Sequence, residues 1–248
     1  ECLICNNIGK SHNLKFSIHL KVDTGMSRLG FECDHFVQQF NNIKSLENIA
    51  VKGIYSHLAC ADENNALNPK SFTQLQREKF QEVLKLINID KKENIKIHLA
   101  NSAGMILGND FHFDMVRIGL SMYGYEPLVK MNKNLFLQPA LFLKAKVTFV
   151  RTIEKGVGVS YGKKFVSNRK TKLAVLSIGY ADGIIRNLSG KISLIHNKKL
   201  YPQVGSITMD QMMVDITGSD DITVGSTMLL LGSQGGHMIS PIDWADKC

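Results

Sequence analysis

A sequence of 248 residues, 44% of them hydrophobic, can fill one large barrel or two ordinary cores, and no apolar run reaches the eighteen residues that a membrane span requires. The five cysteines (Cys2, Cys5, Cys33, Cys60 and Cys248) are odd in number and scattered, which argues against a disulfide framework and suits the reducing cytoplasm. The formal net charge of +8 sits mostly on lysines dispersed among Asn and Ile, such as Lys85, Lys91, Lys92, Lys96 and Lys130, so it reads as solvated surface and not as a nucleic-acid interface.

The opening Glu1-Cys2-Leu3-Ile4-Cys5 lacks the basic region of a signal peptide. Its Cys-x-x-Cys is followed by no second pair at zinc-ligand spacing, so no metal is expected. Phe16 to Val22 then reads as a strand, Asp34 to Asn41 as a helix and Val51 to His57 as a second strand. Ser71 to Ile87 reads as a long helix with apolar residues at Phe72, Leu75, Phe80, Val83, Leu84 and Ile87. A third strand follows at Ile95 to Leu99, a short helix at Ser102 to Leu107 and a fourth strand at Met115 to Ile118. This rhythm is that of part of a (β/α)8 barrel, occupying residues 1–136, with a linker near Tyr125 to Leu137. From residue 137 to 248 the texture is strand-like and punctuated by Gly, Asn and Pro, with candidate strands at Ala140 to Glu154, Thr171 to Ile178, Lys191 to Ile195, Met212 to Ile216 and Thr227 to Leu231. The expected fold class is therefore α/β plus β, a partial TIM barrel followed by a mostly β domain. The closing Pro241 to Cys248 reads as a helix start, which makes truncation an expectation.

Chemistry-bearing groups collect where the strands end, as binding groups do in parallel α/β folds. His19-Leu20-Lys21-Val22-Asp23-Thr24-Gly25-Met26-Ser27-Arg28 places a lysine inside an apolar strand and an arginine in the loop after it. Lys21 reads as an edge-strand surface residue or as part of an anion clamp, and Arg28 as a rim ion pair or as the planar fork of that clamp. His57 ends the second strand and reads as structural or catalytic. Asn101 and Ser102 enter a helix, where they cap it or face a phosphate. Arg117 lies in an apolar run, where an arginine needs a specific acceptor, and Gly119 permits close backbone approach to a ligand. In the second half, Val159-Ser160-Tyr161-Gly162, Gly179-Tyr180-Ala181-Asp182-Gly183 and Thr208-Met209-Asp210-Gln211 complete the set.

In order and spacing these motifs resemble the alanine racemase family over nearly the whole chain. The resemblance implies pyridoxal 5'-phosphate (PLP) as cofactor, interconversion of L- and D-alanine for peptidoglycan, and a head-to-tail homodimer whose active site joins one barrel to the partner's β domain. It makes Tyr161 the acid/base for one face of the substrate, with His57 bonded to it and Arg117 continuing that network to face the cofactor's pyridine nitrogen. Positive charge around Tyr161 would make its phenol a workable base near neutrality. Arg28 matches the contact to the cofactor phenol oxygen and the substrate carboxylate, and Lys21 a lysine that is often carbamylated. Asn101 and Ser102 match the phosphate-side turn, the Gly119 and Leu120 amides part of the phosphate cradle, Met209 and Asp210 a loop bordering the substrate carboxylate, and Tyr180 the entrance corridor.

Two departures qualify the match. The family's Schiff-base lysine belongs to a Val-Val-Lys-Ala-Asn-Ala-Tyr-Gly-like motif that this sequence does not contain, and a second phosphate-side tyrosine would fall beyond Cys248. The 248-residue chain by itself is therefore expected to be inactive, and the intact parent active. The rival readings are a serine or broad-specificity racemase, a non-catalytic PLP-binding protein, which the β-domain motifs argue against, and a decayed remnant.

Overall fold

The computed structural model describes residues 1–87, 89, 93–127 and 137–248; the expected linker and the surface lysines at 91, 92 and 130 lie largely outside them. The chain divides into two compact units, Glu1–Gln138 and Pro139–Cys248.

The first unit opens with helix α1 (Cys2–His12), followed by β1 (Phe16–Asp23), β2 (Phe31–Glu32), α2 (Cys33–Lys44), β3 (Ile49–Tyr55), α3 (Phe72–Leu86), β4 (Lys96–His98) and α4 (Ser102–Leu107). The strands form a parallel sheet in the order β2-β1-β3-β4. Leu20, Val22 and Ile54 point to the helix side, where they pack with Phe36 and Phe40 of α2 and Phe80 and Val83 of α3. Each such fully buried side chain contributes roughly 1.5–3 kcal/mol. Because successive residues alternate across a strand, His19 and Lys21 face the other side. The β1–β3 register sets Lys21 beside Tyr55, and the β3–β4 register sets Tyr55 beside His98. One row across the sheet is thus lysine, tyrosine, histidine.

Three expectations change here. The segment Met115 to Ile118 is not a ladder strand: a single bridge joins His98 to Met115, because the Asp114 carboxylate accepts from the Ile97 backbone N–H (2.7 Å) in place of a carbonyl. Helix α1 is additional to the expected elements. Its large apolar residues Leu3 and Ile4 face outward while Cys2, Cys5 and Gly9 face the core, the reverse of an amphipathic signal. In α3 the buried stripe runs Thr73, Gln76, Phe80 and Val83, so Phe72 and Leu75 are exposed and not in the core.

The second unit contains β5 (Leu143–Ile153), β6 (Gly158–Val159), β7 (Phe165–Val166), β8 (Thr171–Leu176), β9 (Ser193–His196), β10 (Lys199–Val204), β11 (Met212–Asp215), β12 (Thr227–Gln234), β13 (His237–Ile239) and α5 (Pro241–Ala245). Its main sheet runs β13-β12-β5-β8-β11-β10-β9, and a pairing of β12 with β9 at Leu229–Ile195 brings the sheet back on itself, which leaves little open edge. Leu176, Leu194, Ile195, Ile207, Met212, Val214 and Leu230 fill the inside. The segment that became β10 carries Pro202, a residue that argues against a ladder position; the β10–β11 pairing starts only at Gln203, so Pro202 needs no partner on that side.

Candidate active site

In the first unit the site is assembled at the strand ends and centred on Arg117. This residue lies in the extended segment after the Met115 bridge, its backbone N–H donating to the Ala100 carbonyl (3.0 Å). Its Nη1 donates to His98 Nδ1, and its Nη2 to the carbonyls of Ser56 (2.7 Å) and Leu99 (3.1 Å) and to His57 Nδ1 (3.1 Å). The Tyr55 ring lies flat on His98 and 5.0 Å beneath the guanidinium, adding a cation–π contact. These bonds use the two terminal nitrogens and leave the Arg117 Nε–H unclaimed among the described residues.

A guanidinium only donates, so both histidine nitrogens that face it must be bare. His98 therefore carries its proton on Nε2, which donates to His19 Nδ1 (2.8 Å), and His19 in turn carries its own on Nε2. By the same logic His57 carries its proton on Nε2. Burial first, then the Arg117 charge and then His19, hold the His98 pKa down to about 4. His57 is lowered in the same direction by burial and by Arg117, Arg28 and Lys21. His19 has room because β3 places Gly53 against it: a Cβ there would stand 2.4 Å from His19 Nδ1.

Lys21 is nearly buried, and its Nζ has no hydrogen-bond partner among the described residues. Burial lowers its pKa most, the Arg28 charge lowers it further, and Asp23 opposes them. Arg28 sits exposed in a loop held by Asp23, whose Oδ1 accepts from the amides of Gly25 (2.9 Å) and Ser27 (3.1 Å). Asn101 caps α4, its Oδ1 accepting from the Gly104 amide (2.9 Å), and donates one Nδ2 proton to the Leu58 carbonyl (3.2 Å), which leaves its second amide proton unused among the described residues. Ser102 Oγ accepts from the amides of Gly119 (2.9 Å) and Ser121 (3.3 Å), which leaves its proton free to donate. The Gly119 N–H is thereby engaged within the chain. Among the described residues Ser121 Oγ is buried without a partner, and a Cβ on Gly119 would meet nothing nearer than Ser102 Oγ at 4.0 Å. The structure thus brings together Lys21, Arg28, His57 and Arg117 on one side and Asn101, Ser102, Gly119 and Leu120 on the other, within one unit.

The remaining candidates lie together on the second unit. Tyr161 follows β6 in a short 3₁₀ turn and is 69% exposed. Its turn is stitched to the 205–206 segment: Ser160 Oγ donates to the Ser206 carbonyl (2.7 Å) and Ser206 Oγ to the Tyr161 carbonyl (2.9 Å). Tyr180 and Ala181 donate their amides to the carbonyls of Thr208 (2.9 Å) and Met209 (2.8 Å). The two segments approach so closely that a Cβ on Gly179 would lie 2.3 Å from the Thr208 carbonyl oxygen. Tyr161, Tyr180, Met209 and Asp210 thereby share one exposed end, with a concavity of about 420 Å³ beside Tyr161 lined by Phe149, Val157 and Met213. His19, Tyr55, Ser56, Gln76, His98 and Ser121 join the site without having been singled out from sequence. The usable signal was period-two placement: His19 and Lys21 share one face of β1, and the β1–β3 register carries that row to Tyr55, where β3 ends two residues before His57.

Known proteins give this geometry a family. Residues 3–127 match the model for the alanine racemase N-terminal domain, and residues 140–248 that for the alanine racemase C-terminal domain. The chain belongs to the alanine racemase family. It is 48% identical over 246 residues to an alanine racemase of Prochlorococcus marinus, covering 99% of this chain and 64% of that protein. The solved alanine racemase of Clostridium difficile 630 superposes with a TM-score of 0.86 at 32% identity, over 100% of this chain and 64% of that one. An alanine racemase of Bartonella henselae, solved with covalently bound pyridoxal phosphate, gives 0.74 at 34% identity over 94% and 62%. The chain thus spans somewhat under two thirds of the length of these family members. No helix among the described residues is long and apolar enough to cross a membrane.

Proposed function

We propose that this chain is the main part of a PLP-dependent alanine racemase that moves the Cα proton of alanine between two faces. The observation that carries the reading is the tautomer forced on His57: with Nδ1 bonded to Arg117, its N–H is left on Nε2. That group is suited to donate to a phenolate, and the family resemblance supplies one in Tyr161 of a partner copy. Its exposure and that of Met209 suit residues that serve a neighbouring chain's site. The D-alanine formed would feed peptidoglycan in the cytoplasm, and the enzyme would work as a homodimer.

The residues present fit a phosphorylated planar cofactor. Among the described residues the free Ser102 hydroxyl proton, the Ser121 hydroxyl without a partner, the Leu120 amide and the open space over Gly119 offer a small pocket rich in donors for a phosphate. When bound, PLP supplies an electron sink that makes the Cα proton acidic. Arg117, with its unclaimed Nε–H, would face the pyridine nitrogen and leave it unprotonated, because a guanidinium does not readily give up its proton. That weakens the sink and disfavours side reactions. Arg28 would hold the substrate carboxylate, with the partner's Met209 and Asp210 bordering it and its Tyr180 lining the approach.

The reading is tested by incubating L-alanine or L-serine with PLP in D2O, using both the 248-residue chain and a polypeptide of its relatives' full length. D-alanine carrying α-deuterium is expected from the longer protein only. Racemisation by the 248-residue chain alone would refute the expectation that it is inactive; absence of racemisation in the longer protein would refute the function.

Lys21 is proposed to be carbamylated. Its buried, partnerless amine is biased toward the neutral form and can attack carbon dioxide, forming an N–C bond and releasing one proton to solvent. The resulting anion would sit among the charges of Arg28 and Arg117, which it neutralises and orients. With 13C-bicarbonate, a carbamate carbon resonance is expected that Lys21→Arg abolishes; its absence from the unaltered protein sinks the idea.

A further inference from the structure

The first turn of α3 is built against its own apolar interest. It exposes Phe72 and Leu75 and turns Gln76, 0% exposed, into the protein. Burying an amide in place of a leucine is unfavourable unless its polar atoms are bonded, and here they are. Gln76 Oε1 accepts from the Ala59 amide (2.9 Å), and Nε2 donates to the His57 carbonyl (3.0 Å) and to Thr24 Oγ1 (3.3 Å). Thr24 Oγ1 is bonded to Ser56 Oγ (2.7 Å), and the Ser56 carbonyl takes Arg117 Nη2. From the other side, Asn101 Nδ2 holds the Leu58 carbonyl. One side chain therefore brackets the turn His57–Ala59 at both ends and ties it to the end of β1.

We infer that Gln76 is a positioning residue that holds the His57 ring in line with Arg117. His57 has only the 3.1 Å bond to Arg117 to fix its ring among the described residues, and that bond survives only while the backbone beneath it keeps its place. Rotation of the His57–Ala59 turn would carry Nδ1 away from Arg117 and free the ring to exchange its proton between the two nitrogens. The inference rests on the proposed racemase reading only where it concerns proton transfer; the geometry of the ring is independent of it.

The test compares Gln76→Met, which keeps the length and removes every bond, with Gln76→Glu, which keeps the acceptor for Ala59, and with Phe80→Leu, a core change one turn along the same helix. Each is followed by thermal midpoint and by side-chain 15N resonances of His57 in the full-length protein, with and without PLP. The expected result is loss of the single His57 tautomer in Gln76→Met, a smaller change in Gln76→Glu, and none in Phe80→Leu even at an equal loss of midpoint. An unchanged His57 signal in Gln76→Met, or an equal change in Phe80→Leu, overturns the inference and leaves Gln76 as packing. In the PLP-loaded protein, deuterium exchange from one alanine enantiomer should fall at least tenfold more than from the other in Gln76→Met. If the His57 signal changes but both enantiomers slow equally, the positioning role stands and the assignment of His57 to a single face fails.

Discussion

Arg117→Met is expected to cost about 2–5 kcal/mol of folding stability, the largest loss of any single substitution at the site. The change removes the donor from four acceptors at once: the carbonyls of Ser56 and Leu99, His98 Nδ1 and His57 Nδ1. Ser56, Leu99 and His98 are all buried, so water does not readily replace what is lost, and each stranded acceptor costs about 1–3 kcal/mol before relaxation. Arg117→Lys should lose about half as much, because an ammonium is a point charge that cannot span acceptors on two strand ends as a planar fork does. Urea unfolding is the measurement, read as a shift in midpoint at constant slope. The side-chain 15N signals of His98 and His57 should lose their single Nε2–H tautomers in the same variant. A loss below about 0.5 kcal/mol, the range of an ordinary surface change, would show that Arg117 is not the hub of the network.

That hub explains which parts of the protein were legible in its sequence. Strands β1 and β3 and helices α2 and α4 announce themselves, since their core faces repeat with the period of the element. Arg117 was visible as a cation in an apolar run, but its setting was not. The run looks like a strand, and only the three-dimensional contact of Asp114 with Ile97 shows why it forms a single bridge instead. Helix α1 escaped because cysteines and a glycine, not its leucine and isoleucines, face the core. Gln76 escaped for a related reason. In α3 the apolar pattern nominates Leu75, while the strand ends demand an amide one position later, and hydrogen-bonding demand of this kind leaves no periodic trace. The loops of the second unit were legible as motifs but not as neighbours. Backbone bonds join Tyr180 to Thr208 and side-chain hydroxyls join Ser160 and Ser206, and neither kind of contact is encoded in a spacing.

A local conflict in a sequence is therefore informative. Lysine in an apolar strand, arginine in an apolar run and a buried glutamine under two exposed apolar residues each break the local apolar pattern, and each brings its polar end to where the parallel strands finish. The bonds around Arg117 run in a fixed direction, from its guanidinium outward to both histidines, so that network is organised by one donor-only group and not by mutual adjustment.

Tyr161→Phe should separate chemistry from folding more cleanly than any other change. The side chain is 69% exposed, and its hydroxyl makes no hydrogen bond among the described residues, so stability should move by no more than about 0.5 kcal/mol. If Tyr161 is the acid/base for one face, deuterium exchange from the enantiomer presenting its proton to that face should fall about 10²–10⁴-fold in the PLP-loaded full-length protein, the usual worth of a positioned acid/base. Exchange from the other enantiomer should fall far less. Subunit mixing tests whose tyrosine acts. Combining Tyr161→Phe protomers with His57→Ala protomers should restore racemisation in a mixed dimer, since one of its two composite sites would hold both an intact His57 and a partner's intact Tyr161. Equal slowing of both enantiomers would make Tyr161 a general structural or binding residue. Failure of the mixture to recover, with the mixed dimer demonstrated, would place both residues in the service of the same subunit.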